Sequence, residues 1–229
     1  MPQHIQSTSR YLCSLLILLI SSSPLQMVKA DSSQPAPGNY CPAADILLIS
    51  AEDLSSSLEL LMRSRAAQAK GDFAEMASTL TAAGATLQQA ASRGAAARTA
   101  LLIHSIILAK ANDNYEQLLT WFPLLHNAIL TLPNGRAQSA AEDAVGRAKT
   151  LMQGEGTGDP LEELRKARHY ITCDGLSLPL QIALDEHARL VSKTYLNHKL
   201  VVPKDYDKII DSLRNAMTFI MENSKNPVQ

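Results

Sequence analysis

Aromatic side chains are scarce in this chain, where Phe, Trp and Tyr together account for 4% of the residues. A β-sandwich core draws heavily on large side chains carried by strands, so this composition disfavours that architecture. Alanine is plentiful instead, which suits closely packed helices, and no segment shows a convincing run of strand alternation. The sequence therefore predicts an all-α fold, an irregular helical bundle of about seven or eight helices.

The chain also lacks an excess of charge of either sign, with 21 Lys and Arg residues against 22 Asp and Glu residues. Binding to duplex nucleic acid depends on clustered Lys and Arg side chains that neutralise phosphates. The near-neutral balance therefore predicts that nucleic acid is not a partner. It argues equally against binding to an anionic membrane surface.

Catalytic motifs are missing as well, since the sequence has no Gly-x-Ser-x-Gly, no His-Glu-x-x-His and no phosphate-binding loop. The glycines at 154, 156 and 158 have no preceding strand and no following lysine, so we interpret them as a flexible break. We predict that the protein is not an enzyme, that it has no catalytic residues, and that it needs no cofactor.

A metal site is not predicted either. None of the five histidines beyond residue 30 lies in a His-x-x-x-His or Glu-x-x-His spacing: His104, His126, His169, His187 and His198. His104 lies in the most apolar helix, and His187 shares a helical face with leucines. We expect both to be core histidines.

The first thirty residues resemble a secretory signal peptide. One base, Arg10, precedes an apolar run of about ten residues, Tyr11–Ile20, and the segment ends in Val28-Lys29-Ala30. Such a run is roughly 15 Å long as a helix against roughly 30 Å of hydrocarbon, so it suits a removable signal better than an anchor. Cleavage after Ala30 predicts an exported protein, periplasmic or secreted, with about −3 net charge. An uncleaved anchor is the alternative.

Three segments follow from this pattern: a signal peptide over 1–30, an extended leader over 31–43 and a helical domain over 44–229. The third helix, about 95–111, is apolar nearly all round, which predicts the central and most buried helix. Asp72 and Asp159 are predicted to cap helices. Ser177 is predicted to cap another, with Pro179 in its first turn.

Cys41 and Cys173 are the two cysteines that remain after cleavage, and an oxidising compartment favours a disulfide between them. The bond would close a loop of more than 130 residues, which corresponds to about 4–5 kcal/mol in the loop-entropy model. We expect it to clamp the leader to the junction between two helices, with Cys173 at an accessible corner. Two unrelated buried thiols are the alternative.

Two features indicate a place where a partner or ligand binds. Pro123 interrupts a helix beside Trp121 and His126, and a kink of this kind can open a pocket, unless packing fills the gap. The alternative function is therefore a ligand- or cofactor-binding helical bundle. The charge run Arg165, Lys166 and Arg168 is most simply a solvated face, and it is also the best candidate for contact with an anionic partner.

A weak internal repeat suggests a protein-interaction scaffold similar to tetratricopeptide repeats. Phe73, Tyr115 and Tyr206 each follow an acidic or amide residue near a predicted helix start, but they lie 42 and then 91 residues apart. Tetratricopeptide units repeat every 34 residues. The alternative is an aromatic residue that packs on its neighbour near each helix start.

The C-terminal third resembles the YfdX family of secreted bacterial proteins. The resemblance lies in the run from Leu161 to Ala167, Ile171, and Leu178-Pro179-Leu180 with Ala183 and Ala188, together with an earlier Gly71-Asp72 turn. Cys41, Cys173 and the section around Trp121 have no counterpart in that pattern. The resemblance implies a periplasmic helical protein linked to stress tolerance, without catalytic residues. We therefore expect a protein or envelope component as partner and no stable membrane insertion after cleavage, with the oligomeric state open.

Overall fold

The computed structural model describes residues 37–109 and 115–225. These residues form nine α-helices and one 3-10 turn (His198–Leu200), and no strand occurs among them, so the all-α prediction is confirmed. The helices are α1 (Ala44–Lys70), α2 (Phe73–Ala91), α3 (Gly94–Ala109), α4 (Tyr115–Leu119), α5 (Phe122–Leu130), α6 (Arg136–Met152), α7 (Pro160–Tyr170), α8 (Asp174–Asn197) and α9 (Lys204–Asn223).

Local signals set several helix ends where the sequence predicts them. Gly71 takes a left-handed conformation with φ of 76° and ends α1, and the Asp72 carboxylate accepts a hydrogen bond from the Glu75 N–H to begin α2. Asp159 caps α7 through a bond from the Leu161 N–H, ahead of Pro160 at the first helical position.

The helices pack into two groups, each around its own apolar core. The first group contains α1, α2, α8 and α9, and the second contains α3 to α7. Among the described residues, all of the extensive helix–helix contacts lie within one group or the other. The two groups therefore meet along a boundary that their cores do not cross.

A short N-terminal segment, residues 37–41, ties the groups together. Its Gly38 N–H donates to the His169 carbonyl at 2.9 Å, and its Tyr40 N–H donates to the Thr172 carbonyl at 3.1 Å. Tyr40 packs on the second core, whereas Cys41 packs on the first. The segment therefore contacts both groups just before α1 begins.

The Cys41–Cys173 disulfide is present, with the Cα atoms 4.5 Å apart, so this prediction is confirmed. Its predicted setting is wrong in one respect. Cys173 is not at an accessible corner, because only 6% of it is exposed and it belongs to the first core. Asn39 of the segment at residues 37–41 forms an isolated antiparallel bridge with Cys173, which the helix pattern alone does not reveal.

Two predictions about helices are also wrong. Helix α3 is not the most buried, since only Thr99, Ile103 and Ile106 are buried in it and 62% of Leu108 is exposed. Among the described residues, the extensive contacts of α3 are with α5 and α7, and several of its apolar side chains stay partly exposed to solvent. Helix α8 begins at Asp174 rather than after Ser177, which places Pro179 inside the helix.

The predicted interruption near Trp121 is confirmed. Helix α4 ends at Leu119, and α5 starts at Phe122 with Pro123 in its first turn. Proline there needs no partner for the N–H that it lacks, so a helix start accommodates it without cost.

The predicted signal peptide and most of the leader fall on residues 1–36 and lie outside the described residues. Helix α1 begins at Ala44, where the predicted helical domain starts. None of the described helices has the length and apolar character needed to cross a membrane.

Candidate functional site: the cleft between the helix groups

A cleft of about 510 Å³ lies where the two groups of helices meet. Helices α3 and α7 of the second group line it together with α8 of the first group, and the end of α2 and the segment at Tyr40–Pro42 contribute as well. This volume lies within the range of small-molecule sites. The cleft lies at the boundary between two cores that pack separately.

Small side chains leave the room that the cleft occupies. Alanines line it from the end of α2 and the first half of α3: Ala90, Ala91, Ala96, Ala97 and Ala100. Ala96, Ala97 and Ala100 lie within about one turn of α3, so this part of the helix presents small side chains to the space. Larger residues in their place would fill the gap.

Two exposed leucines flank the alanines. Leu101 on α3 is 45% exposed and Leu178 on α8 is 59% exposed, and both line the cleft. Leu180 and Ile171, which are buried, close its interior. The apolar lining is thus partly open to solvent, and a bound apolar group would remove it from water.

Four cations also line the cleft, and all but Arg93 come from the charge run of α7. Three of the four pair with carboxylates: Arg93 with Asp53 at 2.6 Å, Arg165 with Glu162 at 3.1 Å and Lys166 with Glu163 at 2.7 Å. The hydrogen bond with Asp53 raises the pKa of Arg93, and that with Glu163 raises the pKa of Lys166. Arg93 and Lys166 therefore stay charged at neutral pH.

Arg168 is the fourth cation, and it contacts a histidine instead of a carboxylate. Its guanidinium lies 3.0 Å from Nδ1 of His104 on α3. Because a guanidinium only donates, Nδ1 must be the acceptor, and the neutral ring then carries its proton on Nε2. His104 is therefore a polar residue of the cleft wall, half-buried, and the prediction of a core histidine is wrong for it.

Tyr40 adds a further polar group at the cleft. Its hydroxyl is buried and has no hydrogen-bond partner among the described residues. Burial also raises the pKa of Tyr40, so the phenol stays protonated.

His187 and His198 each contact a neighbouring group away from the cleft. His187 donates from Nε2 to the Leu80 carbonyl at 2.8 Å, as expected for a satisfied histidine in the packing of α8 on α2. His198 lies against the Phe73 ring with the centroids 3.9 Å apart. Within residues 37–109 and 115–225, no group of three or more His, Cys, Asp or Glu residues is placed to hold a metal ion.

The three residues of the pocket predicted at the helix interruption lie away from the cleft. Trp121, Pro123 and His126 are all exposed, and His126 lies 3.8 Å from Glu142 of α6. None of these three residues lines the cleft. The sequence signals for the cleft are instead the alanines at the start of α3 and the charge run of α7, which only the fold brings together.

Comparisons of this chain with family models, with curated proteins and with solved structures found no match.

Proposed function

We propose that this chain is an exported, non-enzymatic binding protein and that the cleft between its helix groups is the ligand site. The observation that carries the proposal is the cleft itself, about 510 Å³ of space lined by alanines and by partly exposed leucines. Burying a leucine side chain completely stabilises a complex by roughly 1.5–3 kcal/mol. An apolar ligand group that covers Leu101 and Leu178 gains part of this free energy.

Export is supported by the signal-like segment at residues 1–30 and by the Cys41–Cys173 disulfide. A disulfide of this kind is typical of oxidising compartments outside the cytoplasm. The link to stress tolerance, and a protein or envelope component as the source of the ligand, rest on the YfdX resemblance alone and stay predictions.

The experiment fills the cleft and leaves both cores intact. Ala97 lines the cleft but belongs to neither core, so Ala97→Phe places a ring in the ligand space. Ala66→Phe is the matched control, because Ala66 is exposed on α1 and does not line the cleft. The probe is N-phenyl-1-naphthylamine, a neutral apolar dye whose fluorescence rises when it leaves water.

We expect saturable dye binding by the wild-type protein and by Ala66→Phe, and binding at least tenfold weaker for Ala97→Phe, because a filled cleft loses about 1.4 kcal/mol or more of contact free energy. Circular dichroism and thermal melting check that both variants are folded. The proposal fails if the wild type shows no saturable binding, or if the two variants bind the dye equally.

A further inference from the structure

The four cations that line the cleft differ in whether a carboxylate pairs with them. Among the described residues, three of its four cations lie within ion-pair distance of a carboxylate, whereas Arg168 does not. Its bond to His104 occupies one of five guanidinium N–H groups. Arg168 is also half-buried, so its charge is less well solvated than that of a freely exposed arginine.

The acidic residues of the cleft do not offset this charge directly. Glu162 accepts a hydrogen bond from Arg165 at 3.1 Å, and one Asp174 oxygen lies 3.8 Å from Nδ1 of His169. Both acids therefore have basic neighbours of their own. An anion that enters the cleft meets Arg168 as the cation without a carboxylate partner.

His104 holds the guanidinium at the cleft wall. Its Nδ1 accepts from one terminal nitrogen of Arg168 and links α7 to α3. A guanidinium anchored on one side keeps its remaining N–H groups in a planar fork that matches a carboxylate or a phosphate. The anchoring reduces the side-chain freedom that a ligand would otherwise have to restrict.

Apolar lining and a basic group occur in the same space. The alanines of α3 and the leucines Leu101 and Leu178 form one kind of surface, and Arg168 with His104 forms the other. A wholly apolar ligand leaves the guanidinium unpaired, and a small inorganic anion leaves the leucines exposed. A ligand that satisfies both surfaces carries an apolar chain and an anionic group.

We propose that the cleft binds an amphipathic anion, with its carboxylate or phosphate on the Arg168 fork and its apolar chain along the alanines of α3. This inference rests on the proposed function and specifies the class of ligand. The two head groups share the same chemistry toward a guanidinium, and free carboxylates and lipid-type phosphates are separate arms of the test.

The experiment measures displacement of N-phenyl-1-naphthylamine by four ligands with the same ten-carbon chain. Decanoate and decyl phosphate carry anionic heads, whereas decanol is neutral and decyltrimethylammonium is cationic. We expect either or both anions to displace the dye at concentrations at least tenfold below those of the other two, all below their micelle-forming concentrations.

The matched variants separate a specific contact from general charge. Arg168→Gln should weaken binding of the preferred anion by roughly ten- to a hundredfold, the loss typical of one charge-assisted hydrogen-bonded contact, without weakening dye binding. Arg98→Gln removes a positive charge from an exposed position of α3 outside the cleft, and it should leave anion binding within about twofold. Arg168→Lys keeps the charge without the fork and should fall between wild type and Arg168→Gln.

The outcomes distinguish the two proposals. If the dye binds and Ala97→Phe weakens it, but all four ligands compete equally or Arg168→Gln matches Arg98→Gln, the anion inference is wrong while the binding cleft stands. If the dye does not bind at all, both proposals fail. Should Arg168→Gln not fold, the comparison of Arg168→Lys with wild type decides, and equal anion affinity there overturns the inference.

Discussion

At the scale of single residues, the fit of α8 on α2 depends on one glycine. A Cβ atom at Gly84 would lie 2.3 Å from Cε1 of His187, closer than two such atoms can approach. The same ring donates from Nε2 to the Leu80 carbonyl at 2.8 Å, one turn earlier on α2. A side chain at position 84 would therefore displace the ring and break that bond.

Gly84→Ala should lower the free energy of unfolding by about 1–3 kcal/mol, the usual effect of overpacking a tight contact. Gly146→Ala is the matched control, since Gly146 is also inside a helix and no atom lies within 4 Å of its added Cβ. It should raise stability by about 0.5–1 kcal/mol, because alanine suits a helix interior better than glycine. Urea denaturation measures both, and an equally stable Gly84→Ala variant would contradict the close approach of His187.

At the scale of helices, a carboxylate joins α6 to α7. Glu163 accepts hydrogen bonds from Lys166 on its own helix and from Arg147 on α6, each at 2.7 Å. Only 13% of its side chain is exposed. The bond from Lys166 and then that from Arg147 lower the pKa of Glu163, against the opposing effect of burial.

A lowered pKa in the folded protein means that folding favours the ionised carboxylate. This contribution to stability is complete above the pKa of Glu163 in the unfolded chain and is lost as the pH falls through the folded value. Glu163→Gln should therefore lower the melting temperature by about 1–3 °C at neutral pH, and the difference should close in acid. Glu162→Gln is the control, because the Glu162 side chain is more than half exposed and, among the described residues, its ion pair is with Arg165 of the same helix. A gap for Glu163→Gln that persisted at pH 2 would contradict this account.

At the scale of the whole molecule, the segment at residues 37–41 contacts both helix groups, and its disulfide fixes that segment to the first core. Cys41 and Cys173 are 132 residues apart in sequence, and the bond sits between the backbone contacts of Gly38 and Tyr40 and the start of α1. In the loop-entropy model a crosslink of that length stabilises the fold by up to about 5 kcal/mol.

In the double variant Cys41→Ala, Cys173→Ala, the free energy of unfolding should be about 2–5 kcal/mol lower than in wild type. Reductant should lower the stability of wild type to a similar level and leave the double variant unchanged. Guanidinium denaturation with and without reductant makes the comparison. If reductant does not change the wild-type transition, the crosslink does not stabilise the folded state.

The helices themselves were largely predictable, because their signals are local. The structure matches three of these local predictions. Helix α1 ends at Gly71 and α2 is capped by Asp72, α7 begins after Asp159 at Pro160, and the apolar face of α9 runs from Tyr206 to Ile220. Each signal depends on residues within one or two turns of the chain, through capping or spacing along one face. The start of α8 was misplaced because Cys173, an unusual cap, precedes it.

The cleft was not predictable from the same signals. The abundance of alanine in the sequence predicts closely packed helices, and the charge run of α7 is most simply a solvated face, so neither feature indicates a cleft. Likewise, the apolar character of α3 suggested a central helix, whereas Leu101 lines an open cleft. Periodicity shows that a face is apolar, but it does not show which helix covers it or whether any does.

The helical class and most helix boundaries follow from local backbone preferences that can be read along the chain. With only two cysteines beyond residue 30, the sequence also favoured the bond between Cys41 and Cys173 that the structure contains. Only the packing of the folded chain divides the helices into two cores, leaves a cleft between those cores, and brings Arg168 to His104 across 64 residues of sequence. Such contacts join residues distant in sequence, and their choice depends on the shapes of whole helix faces packed at high density.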